Sequence, residues 1–157
     1  MELMKGPPGE TPQQRLVWLK KVHFACASAR EGSVSTIAEP LKKAIDVVEQ
    51  MDKGGDKAPP ALEGQLAGHL LHAQGLMLYV YLEELNRMRN TIATEVAKMK
   101  AGSPERKKGE QLQGAYEQAI DGLARAYNGL RAGKLDEMKS VVPVMEQVRK
   151  VAAELSK

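Results

Sequence analysis

The sequence has few of the residues on which several common kinds of protein depend. Its 157 residues include one cysteine, Cys26, and only 4% aromatic side chains. A single cysteine excludes an intramolecular disulfide and fits a reducing compartment, so we expect a cytoplasmic protein. No stretch alternates between apolar and polar residues as a strand does. Alanine, leucine, methionine, lysine, glutamate and glutamine are plentiful, and they favour helix over sheet.

The chain also lacks the segments that direct proteins to or through a membrane. Residues 1–9 contain no apolar core like that of a signal peptide. The uncharged run at residues 64–82 is interrupted by glycine, glutamine and two histidines. We therefore expect this run to be a buried helix rather than a membrane span, and we expect no membrane partner.

The net charge of +3 is concentrated in the N-terminal segment. Residues 1–30 carry five basic and two acidic side chains, whereas the remaining residues carry 18 of each. A cluster this sparse is typical of a solvated face. The alternative is a weak attraction to an acidic partner or to nucleic acid.

One long apolar stretch, at about residues 59–100, organises the chain. Its middle carries no charge, and a helix that is apolar on most sides usually lies inside a fold. The flanking segments support shorter helices, which we expect to pack around it. The sequence therefore predicts an all-α, single-domain antiparallel bundle of about five helices around one long central helix. A flexible N-terminal tail would cover residues 1–10, and the bundle domain residues 11–157.

Local signals place the shorter helices. Thr11 and Gln14, with a proline between them, have the pattern of a capping box, so the first long helix should begin there. The next helix should begin between residues 35 and 40. The last helix should cover residues 135–155, and Pro143 should kink or divide it, because an interior proline removes a hydrogen bond and clashes with the preceding turn.

Apolar and small residues in the last third of the chain follow a regular helical spacing. They are Tyr116, Ala119, Ile120, Leu123, Ala126, Leu130, Gly133 and Leu135, followed by Glu137. This pattern resembles the helical hairpins of flagellin-export chaperones and, more loosely, those of tetratricopeptide repeats. The resemblance implies two antiparallel helices joined by a short loop.

Glycines lie inside two of the predicted helices. They are Gly64, Gly68 and Gly75 in the long helix and Gly114, Gly122 and Gly129 in the next one. Each costs up to about 1 kcal/mol relative to alanine in a helix interior. We hypothesise that they allow helix backbones to approach closely, within the chain or against a partner; the alternative is glycine tolerated on the solvent side.

Two pairs of metal-ligating side chains have helical spacing. His23 and Cys26 form one pair and His69 and His72 the other, each three residues apart. Four such ligands would form a metal site if their helices faced each other. His69 and His72 have no carboxylate three or four residues away, so the Glu-x-x-His pattern of di-iron bundles is missing. We expect structural histidines, no metal and no cofactor, and keep a metal site at these residues as a minor alternative.

No motif indicates an enzyme. His72 is not followed by the lysine that phosphotransfer domains usually carry, and Glu83 and Glu84 are adjacent, so they point in different directions around a helix. No serine lies in a nucleophile-elbow motif, and no glycine-rich loop follows a strand. We expect no catalytic activity and no small-molecule substrate.

Two surfaces are candidates for binding another molecule. The far half of the long helix should expose apolar side chains to another protein or a second copy; these are Leu82, Leu85, Met88, Ile92, Val96 and Met99. Basic side chains surround the turn that follows, namely Lys98, Lys100, Arg106, Lys107 and Lys108. We predict a non-catalytic helical protein-interaction module, such as an adaptor, a chaperone or an assembly subunit. The alternative is a small helical subunit that binds nucleic-acid backbone within a ribonucleoprotein complex.

Overall fold

The computed structural model describes residues 2–156, and the fold is all-α, as predicted. Met1 and Lys157, where the predicted tail begins and the predicted domain ends, lie outside the described residues. Residues 2–156 contain no strand and form α1 (Glu2–Lys5), α2 (Pro12–Ala27), α3 (Gly32–Ser35), α4 (Ala38–Gly54), α5 (Ala61–Lys98), α6 (Pro104–Arg131) and α7 (Val141–Leu155). Two 3₁₀ segments lie at Gly55–Lys57 and Leu135–Ser140.

The predicted helices correspond to α2, α4, α5, α6 and α7. The long helix expected at about residues 59–100 is α5, which is helical at every residue from Ala61 to Lys98, including Asn86–Asn90. The helices α1 and α3 are single turns of four residues each. Turns this short leave too few residues for an apolar period to be recognised.

Side-chain caps explain why two helices begin where they do. The Thr11 hydroxyl accepts a hydrogen bond from the Gln14 amide at 3.2 Å, and the Gln14 side-chain oxygen accepts one from the Thr11 amide at 3.3 Å. This is the predicted capping box at the start of α2. At α6, the Ser103 hydroxyl accepts a hydrogen bond from the Arg106 amide at 3.2 Å. Each cap satisfies an amide that has no partner inside its helix.

The segment predicted as a helix over residues 135–155 is divided. Leu135–Ser140 is a 3₁₀ segment, and α7 begins at Val141. Pro143 therefore lies in the first turn of α7, where a missing N–H breaks no helical hydrogen bond. The proline thus marks the beginning of α7 instead of kinking a longer helix.

The contacts of the chain divide it into two compact units, Met1–Val80 and Tyr81–Lys157. The boundary between them falls within α5. The predicted division into a tail at residues 1–10 and one domain at residues 11–157 stays a prediction.

In the first unit, α1, α2, α4 and the first part of α5 share one apolar core. Its most deeply buried members are Leu3, Leu19, Ile37, Leu41, Ala44, Val48 and Ala73. The N-terminal residues contribute to this core: Leu3 is 2% exposed, and its carbonyl accepts a hydrogen bond from the Gln74 side chain at 3.1 Å. The flexibility expected at residues 1–10 stays a prediction, but Leu3 is packed.

In the second unit, α6 packs against α7 and against the 3₁₀ segment before it. Leu123 and Ala126 of α6 and Val141 and Met145 of α7 are buried to 2% exposure or less. These residues form the seam of the helical hairpin that the spacing predicted.

The structure separates five of the six helix glycines, all except Gly75, into two groups. A β-carbon at Gly122 would lie 3.2 Å from Val144 Cγ2, and one at Gly129 would lie 2.8 Å from the Lys134 carbonyl oxygen. At Gly64, Gly68 and Gly114, by contrast, a β-carbon would meet nothing within 4 Å. Close approach therefore explains Gly122 and Gly129, whereas the other three are glycines with open space beside them.

The uncharged run at residues 64–82 is not buried on all sides. Gly68 and His72 are exposed, and Tyr79 is 51% exposed. The outer face of this part of α5 is built from glycine, alanine, glutamine and histidine, which gain little from burial. The expectation that a chain segment without charge is buried on most sides was wrong here.

Candidate protein-interaction surface

The predicted partner-binding residues on α5 are mostly covered. Leu85 and Val96 are 3% and 5% exposed, whereas Met88 is 41% exposed. The remaining three, Leu82, Ile92 and Met99, are half-buried. The exposure expected for this set was therefore wrong at Leu85 and Val96, which belong to the apolar interior. A binding role for this set stays a prediction.

The most exposed large apolar side chains lie on α2 instead. Val17 and Phe24 are each 72% exposed, compared with 44% for Leu135. They are seven residues apart, so they project from the same side of the helix at a spacing of about 10.5 Å. The buried side of α2 carries Leu19 and Val22, which are 1% and 5% exposed. One helix therefore has an apolar pair on each of its two opposite sides.

Two lysines flank the exposed apolar pair. Lys20 and Lys21 are exposed, and within residues 2–156 neither forms an ion pair. Consecutive residues are about 100° apart around a helix, so these two lysines lie on either side of the line from Val17 to Phe24. We refer to Val17, Lys20, Lys21 and Phe24 as the α2 surface.

The α2 surface has no acidic residue of its own to neutralise it. Residues 11–30 include no aspartate or glutamate. The guanidinium of Arg15, on the buried side of α2, binds Glu63 of α5 at 3.0 Å. That ion pair joins α2 to α5 inside the first unit.

A groove adjoins the α2 surface at Val17. It has a volume of about 460 Å³ and is lined by Glu2, Pro8, Trp18 and Lys21 among others. Trp18 is 5% exposed, and its indole N–H finds no acceptor among the described residues. The groove extends the exposed apolar area from α2 toward the segment that precedes it.

The predicted basic cluster is partly neutralised by its own helices. Lys98 pairs with Glu95 at 3.2 Å, and Arg106 pairs with Glu110 at 3.1 Å. Arg106 also donates a hydrogen bond to the carbonyl of Met99 at 3.0 Å, near the end of α5. The three other lysines of the cluster, Lys100, Lys107 and Lys108, are exposed and form no ion pair in the described part of the chain.

The candidate metal ligands do not form a cluster. Cys26 is 3% exposed, whereas His72 is exposed and His23 and His69 are half-buried. Nowhere in residues 2–156 do three or more His, Cys, Asp or Glu side chains come together in a way that could hold a metal ion. The structure therefore does not bring His23, Cys26, His69 and His72 together. Across the same residues, no helix combines the length and the apolar character that crossing a membrane requires.

Burial perturbs the acidity of Cys26 and of Tyr116. Burial raises the pKa of the Cys26 thiol, because an apolar surrounding disfavours the thiolate. Burial also raises the pKa of Tyr116, with a further increase from the negative charge of Glu84 and an opposing decrease from Arg149. Tyr116, Glu84 and Arg149 lie on α6, α5 and α7 of the second unit, respectively. A phenol held protonated in this way is a poor acid and a poor nucleophile at neutral pH.

Comparison of the chain with protein-family models, with curated proteins and with solved structures found no match. Sequence reasoning identified the basic N-terminal segment but not the exposed pair within it. The signal was present: Val17 and Phe24 are one heptad apart and lie opposite the apolar line through Leu19 and Val22.

Proposed function

We propose that this chain is a non-catalytic helical protein-interaction module, such as an adaptor, a chaperone or an assembly subunit, and that it docks its partner on the α2 surface. The observation that carries this proposal is the 72% exposure of both Val17 and Phe24. Leaving one large apolar side chain in water is common, but two in register on the same side of one helix form a docking site when a partner covers them.

The surroundings of the pair support the same role. The groove beside Val17 offers a concave edge, and Lys20 and Lys21 offer a polar rim that forms no ion pair within residues 2–156. An apolar centre with a charged rim is the common arrangement of protein-protein interfaces. The absence of a catalytic motif from the sequence and the single buried thiol at Cys26 fit a cytoplasmic binding protein.

A photo-cross-linking experiment tests this proposal. A photoreactive phenylalanine analogue is placed at position 24 in the full chain, and a matched variant carries it at position 135, where Leu135 is 44% exposed in the second unit. After irradiation in the native host, we expect a discrete adduct from position 24 and little from position 135. An absence of adducts at position 24, or equal adducts at both positions, would contradict docking on the α2 surface.

A second variant separates docking from folding. Replacing both anchors by serine (V17S/F24S) should leave the melting temperature nearly unchanged, because neither side chain is part of the core. It should nevertheless prevent capture of the partner cross-linked from position 24. If the serine variant captures that partner as well as the unmodified chain does, the apolar pair is not the docking site.

The alternative function is a small helical subunit that binds nucleic-acid backbone in a ribonucleoprotein complex. It is supported by three exposed lysines, Lys100, Lys107 and Lys108, which form no ion pair among the described residues. Its support is smaller, because Glu95 and Glu110 already pair with Lys98 and Arg106. Titration with generic RNA and DNA at two salt concentrations tests it. Phosphate binding should weaken steeply as salt rises, and K107Q/K108Q should weaken it further. Apolar docking should change little with salt.

A further inference from the structure

We infer that the partner segment recognised by the α2 surface is an acidic amphipathic helix of another protein. This inference rests on the proposed function and adds the chemistry of the partner. It depends on two independent properties of the surface: the sign of its unpaired charge and the spacing of its apolar anchors.

The charge of the surface selects an acidic partner. Lys20 and Lys21 are exposed, form no ion pair within residues 2–156 and lie on both flanks of the apolar pair. Residues 11–30 include no acidic residue, and Glu2 of α1, which lines the groove together with Lys21, pairs with Lys5 at 3.9 Å. A partner with carboxylates on both flanks of its apolar stripe gains two ion pairs, whereas a basic partner meets like charge on both sides.

The spacing of the anchors selects a helix. Val17 and Phe24 are separated by about 10.5 Å along α2, which equals one heptad of a partner helix lying alongside it. An extended peptide places same-face side chains about 6.6 Å or about 13 Å apart, and neither interval matches. Apolar side chains at heptad positions of the partner can therefore lie against Val17 and Phe24 together.

The same features make other occupants a poorer fit. A helix that inserts into a lipid surface needs a broad continuous apolar face, but here Gln13 and the two lysines border only two apolar side chains. Single-stranded nucleic acid needs successive stacking platforms, and Phe24 is the one aromatic side chain on this face of α2. An acidic helix uses both the apolar anchors and the charge.

A pair of matched peptides tests the inference with the full-length protein. Both are monomeric helical peptides with leucine at heptad positions; one carries glutamate on the flanking positions and the other lysine. Measured by fluorescence anisotropy, the glutamate peptide should bind more tightly than the lysine peptide, and 0.5 M salt should reduce the difference. The K20E/K21E variant should bind the glutamate peptide about fivefold more weakly and should reverse the preference between the peptides.

Two control variants and two alternative ligands distinguish the possible outcomes. V17S/F24S should lose binding of both peptides, and K20Q/K21Q, which removes charge without reversing it, should lose only the preference. Equal binding of both peptides by the unmodified protein would contradict the inference that the partner is acidic. The cross-linking experiment at position 24 tests docking on the α2 surface separately. The inference would also be contradicted if anionic phosphatidylserine vesicles or a single-stranded oligonucleotide bound more tightly than the glutamate peptide, in a way that depends on Phe24.

Discussion

Gly109 of α6 lies directly against Val96 of α5. A β-carbon at position 109 would stand 2.6 Å from Val96 Cγ2 and 3.7 Å from the sulfur of Met99. Val96 is 5% exposed and β-branched, so it has few other positions available. Within the second unit, this glycine allows α5 and α6 to approach at a point that the pattern of helix glycines did not indicate.

Replacing Gly109 by alanine should destabilise the protein. The added methyl group would overlap Val96, and overpacking of this kind usually costs about 1 to 3 kcal/mol, from which alanine's better helix propensity recovers up to about 1 kcal/mol. We expect the free energy of unfolding to fall by about 1 kcal/mol in urea denaturation followed by circular dichroism.

Gly68 provides the matched control for that substitution. A β-carbon at Gly68 would meet nothing within 4 Å, and the residue is exposed on α5. Gly68→Ala should therefore raise the free energy of unfolding by roughly 0.5 to 1 kcal/mol, since only the cost of ordering glycine is removed. If both alanine variants changed the free energy of unfolding in the same direction, the contact with Val96 would not explain why position 109 is a glycine.

Removing the capping hydroxyl of Thr11 should loosen the start of α2. Thr11→Ala deletes the acceptor for the Gln14 amide, and the loss should be about 1 kcal/mol of unfolding free energy. Thr91→Ala is the comparison, because Thr91 is exposed in the interior of α5, where alanine is the better helix former. Thermal unfolding should show a lower midpoint for the first variant only; equal midpoints would mean that the cap is energetically unimportant.

The two interactions of Arg106 should differ in strength. Its bond to the Met99 carbonyl satisfies an acceptor near the end of α5, whereas its ion pair with Glu110 is more exposed. Arg106→Ala should lower the free energy of unfolding by about 1 kcal/mol, and Glu110→Gln by less than about 0.5 kcal/mol. Urea titrations of the two variants measure this difference. If Glu110→Gln lowered the free energy of unfolding as much as Arg106→Ala does, the stabilisation would come from the ion pair and not from the bond to the Met99 carbonyl.

The buried thiol of Cys26 should make stability depend on pH in the alkaline range. Its pKa is raised above the ordinary 9.0 by burial, so the folded state holds the proton more tightly than the unfolded state does. The resulting stability is fully present below pH 9.0 and is lost as the pH rises through the higher pKa of the folded state. Wild-type protein should lose more unfolding free energy between about pH 8 and about pH 10.5 than Cys26→Ala does. Equal losses would mean that Cys26 does not contribute.

The fold class and most helix starts could be predicted because they depend on local chemistry. The cap at Thr11 acts within four residues of sequence, and the effect of Pro143 on the segment around it follows from its own missing N–H. The length of α5 could be predicted for a similar reason, since no proline interrupts residues 61–98. These signals need no knowledge of which elements are neighbours.

The spacing of Val17 and Phe24 could be read from the sequence, but their exposure could not, because exposure is decided by neighbours that are distant in the chain. Leu85 and Phe24 are both large apolar side chains, but Leu85 is 3% exposed and Phe24 is 72% exposed. The apolar spacing predicted one apolar line on α2 and two on α5, but it did not indicate which of these lines the rest of the chain would cover. Likewise, the absence of charge near Tyr79 indicated burial, although small polar and apolar residues can face water at little cost.

The single tryptophan of the chain, Trp18, is 5% exposed and lies in the core of the first unit. Its fluorescence emission should therefore lie at short wavelength in the native protein and shift to the red when that core opens. Far-ultraviolet ellipticity, in contrast, follows the helices of both units. Coincident transitions of the two signals would mean that Met1–Val80 and Tyr81–Lys157 unfold together, and separated transitions would give the order in which they melt.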